Sequence, residues 1–173
     1  MAIRYISGES LVRRATGNFN VQDVATVTTP VAIPGTGVFT KLTNDGAGTL
    51  TTAANAPQGM TPLWIPASNH FDFAQLVAGD QVFIRASILV DILSVNTDID
   101  LQLLAGIGEF PFTLDWDQQS YKSTGVFSVS KTSFITMDQP TALEGKAEFK
   151  MNADKACNVE VQGWNYIVHR RLT

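Results

Sequence analysis

The stretch QVFIRASILVDIL, Gln81–Leu93, alternates with a period of two. Val82, Ile84, Ala86, Ile88, Val90 and Ile92 share one parity; Gln81, Arg85, Ser87 and Asp91 share the other. Successive side chains of an extended chain point to opposite faces, so this pattern predicts a β-strand with one face in a core. Phe83, Leu89 and Leu93 break the rule by sitting on the polar parity. The strand thus carries apolar groups on its second face, and something must cover them.

The same grammar extends outward from this strand. From Val21 on, short runs rich in β-branched and aromatic residues alternate with turn signals such as Asn44-Asp45-Gly46, Gly79-Asp80 and Gly106-Ile107-Gly108. Val24–Thr29 and Gly37–Thr43 read as strands, and Leu50–Pro62 reads as a long loop of small residues. In all, about nine or ten strands fall at the spacing of roughly 8–12 residues that marks sandwiches and barrels. No run of a dozen residues keeps a helical period, which argues against a parallel α/β fold. Gly125–Met137 is apolar on both parities, like Gln81–Leu93. In Gly145–Met151, by contrast, Ala147, Phe149 and Met151 oppose Lys146, Glu148 and Lys150, which predicts one wet face on the outside of the molecule. In Cys157–Leu172 the apolar parity switches between Val159/Val161 and Trp164/Tyr166/Val168, so a β-bulge is expected at or beside Gly163.

Residues 1–20 differ from the rest. They mix charge, Gly and Ser with scattered apolar residues at no clean period, and are read as an N-terminal extended arm preceding a single domain over 21–173. A chain of 173 residues is long enough for a real core without staples. Only 16% of it is charged, well below the usual ~25%, which leans towards a surface covered by partners. The net charge of −4 argues against a nucleic-acid partner, which requires a concentrated basic face. No run approaches the ~20 apolar residues of a membrane span, and no signal-type segment opens the chain, so no membrane partner is expected.

Asn69–Gly106, NHFDFAQLVAGDQVFIRASILVDILSVNTDIDLQLLAG, resembles the middle of virion jelly rolls of the tumour-necrosis-factor-like type. Such domains recur in bacteriophage head-decoration (cement) proteins and in tail-fibre tips. The Thr-, Ala- and Gly-rich stretch VATVTTPVAIPGTGVFTKLTNDG is similar to the opening strands of the same proteins, and the likeness runs from Val21 to Leu172. It implies an antiparallel jelly-roll β-sandwich and a homotrimer packed around a three-fold axis through sheet faces. On that reading Phe83, Leu89 and Leu93 cover a neighbouring subunit; the intrachain alternative is cover by the loop Thr51–Pro62. Trp64, between Pro62 and Pro66, is either an interface anchor or core. The implied role is a virion structural protein, made in the host cytoplasm and bound to the outer capsid surface. Its partners are then itself and the major capsid protein. The arm residues Ile3, Arg4, Tyr5, Ile6, Leu11, Arg13 and Arg14 are the candidates for that contact. The chain has no coiled-coil or repetitive shaft, which favours decoration over a receptor-binding fibre tip.

Enzymatic chemistry finds little to stand on. His70 and His169 lie on separate strands, and with one cysteine they cannot make a usual structural zinc site. Cys157, on the apolar parity of its strand, reads as a buried thiol. There is no Gly-x-Ser-x-Gly elbow, Rossmann fingerprint or Walker motif. Asp98/Asp100 share a face, and Asp115/Asp117 flank Trp116 in what reads as a loop or strand end. Either pair offers oxygens to Ca²⁺ or a sugar, against the simpler reading of solvated strand faces and turn starters. No catalytic residue, metal or cofactor is expected, and a carbohydrate-binding module remains the rival from another class.

Overall fold

The computed structural model describes residues 16–108, 111–137 and 145–171. In chain order the strands are β1 (Thr16–Gln22), β2 (Val31–Ile33), β3 (Thr40–Lys41), β4 (Thr52–Asn55), β5 (Trp64–Ile65), β6 (His70–Asp72), β7 (Gln81–Ile92), β8 (Thr97–Ile107), β9 (Phe112–Tyr121), β10 (Gly125–Thr136), β11 (Lys146–Ala153) and β12 (Cys157–His169). One sheet has the order β10-β7-β12-β1-β4, with β2 also on β12; the other has the order β5-β6-β11-β8-β9, with β3 also on β11. Every ladder is antiparallel. The two sheets pack as a jelly-roll β-sandwich, as the sequence predicts.

The core is built from the apolar parities. Val82, Ile84, Ala86, Ile88, Val90 and Ile92 of β7 and Trp164, Tyr166 and Val168 of β12 face Ile99, Leu101 and Leu103 of β8 and Phe149 and Met151 of β11, all buried. Tyr166 ties the sheets together by hydrogen bonding as well. Its hydroxyl oxygen accepts from the Leu63 N–H at 2.9 Å, beside the start of β5.

The bulge is where the parity switch puts it. The register of β12 on β7 shifts between Val161 and Gly163. A Cβ on Gly163 would stand 2.6 Å from the Val21 carbonyl oxygen, so the close approach of β1 requires glycine. The bulge also explains a miss. Val24–Thr29, expected as a strand, instead contains the short helix α1 (Ala25–Thr28). Its Thr26 hydroxyl accepts from the Val161 N–H at 2.7 Å, next to the bulge, and buried Asp23 accepts from the Thr26 N–H at 2.7 Å. A tertiary hydrogen-bond demand outweighs the β-propensity of the segment.

Two further expectations change. The arm boundary moves, because Thr16–Asn20 belong to β1, which pairs with β12 from Thr16↔His169 to Gln22↔Gly163. Only Phe19 and Val21 are large inward residues there, too few to show a period. The outer face of β11 is not simply wet either. β11 lies inside its sheet, and Glu148 is buried between Lys41 of β3 at 2.5 Å and Lys150 at 2.8 Å. The small-residue loop also contributes a strand, β4, which edges the first sheet.

Candidate functional site

The two outer faces of the sandwich differ in chemistry. The face of the second sheet carries Lys41, Lys146, Glu148, Lys150, Asp98 and Asp100. The face of the first sheet holds Arg85, Asp91 and Glu160 as its charged residues on β7 and β12, and β10 adds none. A charged face holds its water; a neutral face with large apolar groups does not.

Apolar groups collect at both ends of the first face. At one end Phe83 packs at a tilt against Phe134 across the β7–β10 ladder, ring centroids 4.6 Å apart, and meets His169 edge-on at 5.6 Å. Ile167 lies opposite Phe83 on β12. At the other end Leu89 of β7 and Val126 of β10 share the outer face, and Leu93 follows directly on the end of β7. Phe134 is 51% exposed, Val126 63% and Leu93 52%. Between the ends runs a polar waist, where the Arg85 Nε–H donates to Ser130 Oγ at 2.7 Å. A shallow groove lined by Thr16, Gly17, Asn18, Asn55 and Ile167 adjoins the aromatic end.

Phe83, Leu89 and Leu93 thus share one exposed sheet face, as their parity predicts. The loop Thr51–Pro62 does not cover them, since its strand β4 pairs with β1 at the far edge. Trp64 leaves the candidate interface. It is 3% exposed, donates its Nε1–H to the Asn44 carbonyl at 3.0 Å, and packs edge-on against Phe71 and Trp164. Its prolines shape a local turn, but its cover comes from residues distant in sequence. Ile3, Arg4, Tyr5, Ile6, Leu11, Arg13 and Arg14 lie outside the described residues. Phe134, Val126 and Ile167 complete the face and were not singled out from the sequence. The signal was present in the two-sided apolar pattern of Gly125–Met137, but only cross-strand register tells which parity faces out.

The chemical candidates are dispersed. His70 is buried on β6 in the second sheet, where burial pushes its pKa down; His169 is on β12 in the first, its Nδ1 2.9 Å from Thr16 Oγ1. Cys157 is buried, and burial pushes its thiol up to about 11, so it is protonated at neutral pH. Asp98 accepts from Ser120 Oγ at 2.5 Å, and Asp117 accepts from Gln119 Nε2 at 2.9 Å. Asp115–Asp117 lie within β9, not in a loop. Among the described residues no group of three or more His, Cys, Asp or Glu is placed to hold a metal.

No protein-family model matches the chain. No curated protein sequence matches it. Among solved structures it is similar to the Eiger TNF of S. frugiperda, with 14% identity and a TM-score of 0.53 over 91% of this chain and 93% of that one. It is also similar to the globular domain of a zebrafish complement 1qA protein, with 12% identity and a TM-score of 0.49 over 87% of this chain and 94% of that one. At such identity the Eiger likeness shows the fold alone, a TNF-like jelly roll.

Proposed function

We propose that this chain is a non-enzymatic structural subunit of a bacteriophage virion, a homotrimer that sits on the outer head surface and stabilises contacts between capsomers. The observation that carries self-association is the contrast between the densely charged outer face of the second sheet and the more sparsely charged, apolar-ended face of the first. Burying Phe83, Phe134, Ile167, Leu89, Val126 and Leu93 removes about 25 cal/mol of unfavourable hydration per Å². Within the polar waist the Arg85 Nε–H is already bonded to Ser130 Oγ, and the charges of Arg85, Asp91 and Glu160 require partners or water at the interface. Closed cyclic symmetry limits the growth of such an assembly, and three-fold packing is what the sequence resemblance implies.

The same resemblance supports the location on the head. The major capsid protein is the proposed partner, reached through the arm residues that precede β1. The added contact area opposes the pressure of packaged DNA. The test is co-sedimentation with phage heads lacking the native protein. Saturable binding by the full chain, lost on deletion of residues 1–15, supports head decoration. The deletion stops short of Thr16 because β1 supplies Phe19 to the core. Binding to host cells instead of heads reverses the assignment to a receptor-binding tip, and turnover or capture of glycans by the isolated protein reverses it to a carbohydrate-active module.

A further inference from the structure

A cyclic trimer is held by heterologous contacts, in which one patch of each chain meets a different patch of the next. The assembly proposed above therefore needs a second surface, and the first face sets what that surface must carry. Along its strands the face is apolar at the Phe83–Phe134 end, holds Arg85 at the waist, and is apolar again at Leu89 and Val126. Asp91 and Glu160 put two acids at this last end, since Leu89 pairs with Glu160 and Val126 with Asp91. Rotation about an axis that runs along the strands carries every residue round at its own level. The second surface must then offer apolar groups at both ends and a cation at the acidic one.

The two edges of the sandwich differ in this respect. On one edge β4 presents the small residues Thr52–Asn55, and although Leu50 is exposed ahead of it, no Lys, Arg or His lies between Asn44 and Trp64. On the other edge β10 ends the first sheet and β9 the second, joined by the turn that follows Tyr121. Phe112 opens β9 and is 42% exposed, far from that turn and so at the same end of the sandwich as Phe134. At the turn end the rings of Tyr121 and Phe127 pack 4.6 Å apart, both half-buried, and Lys122 stands exposed beside them. The turn is level with Asp91, because Gly125 and Val126 pair with Ile92 and Asp91. Among the described residues neither Lys122 nor Asp91 has an ion-pair partner within the chain. Covering Asp91 without a counter-charge is costly, whereas opposite charges brought together fix register.

We propose that the β9–β10 edge of each chain packs on the outer face of the first sheet of a second copy, with Phe112 against the Phe83–Phe134 end and Lys122 against Asp91 and Glu160. This packing rests on the self-association proposed above and names its counter-surface.

The experiment is light scattering of the full chain over a dilution series, which reads the concentration at which the trimer dissociates. Lys122→Glu and, separately, Phe112→Ser change exposed side chains, so both should keep the β-type circular dichroism while raising that concentration about tenfold or more. Adding Asp91→Lys to Lys122→Glu restores the pair with its signs exchanged and should bring the concentration back towards that of the wild type. Leu50→Ser, on the opposite edge, should leave it unchanged. A trimeric wild type that neither Lys122→Glu nor Phe112→Ser weakens, absence of recovery in the double variant, or dissociation by Leu50→Ser overturns this packing and leaves the trimer standing. A monomeric wild type overturns the trimer, and the packing with it.

Discussion

Glu148 shows how a single buried charge is made tolerable. Burial by itself pushes its carboxyl pKa up, but the hydrogen bonds from Lys150 and Lys41 outweigh burial and hold it below its ordinary value of 4.5. A depressed folded-state pKa means stability that is fully present above that value and is lost as the pH falls through the folded one. Glu148→Gln removes two charge-assisted bonds and is expected to cost about 1–3 kcal/mol at pH 7. The gap in melting temperature between wild type and variant should then close as the pH falls below the ordinary value of 4.5 and through the lowered one. A gap independent of pH would show that the carboxylate charge contributes nothing. Gly163 tests close packing instead of charge. Gly163→Val forces a branched side chain against the Val21 carbonyl and should lower stability by about 1–3 kcal/mol in chemical denaturation. Tyr166→Phe strips the buried Leu63 N–H of its 2.9 Å partner, and about 1–3 kcal/mol is the expected loss.

At the scale of elements, the strands with long unbroken alternation were legible from the sequence, because period and burial there report the same thing. β7 and the bulge of β12 are examples: six inward apolar residues announce the first, and a change of parity around a glycine announces the second. The elements that were not legible answer to distant partners. α1 forms from β-branched residues because Asp23 and the Val161 N–H claim Thr26. β4 forms in a small-residue loop because β1 offers it an edge. Trp64 reads equally well as anchor or core until Asn44, Phe71 and Trp164 close around it. The candidate surface was half legible: β7 yielded Phe83, Leu89 and Leu93, while Phe134, Val126 and Ile167 needed the register of β10 and β12. That register makes a prediction. Phe134→Asp places a charge on the exposed aromatic end without touching the core, so the chain should keep its circular dichroism spectrum while its assembly dissociates. Loss of the β spectrum would mean that Phe134 supports the fold of the single chain.

For the whole molecule, the contrast between the outer faces and the low overall charge lead to the same conclusion. In the proposed assembly, the face with fewer charges and apolar groups at both ends is the one buried against copies of the chain. The molar mass in solution tests this most directly. Multi-angle light scattering of the purified chain at tens of micromolar should return three times the 18.8 kDa chain mass, whereas a mass equal to that of one chain, unchanged by Phe134→Asp, would contradict it.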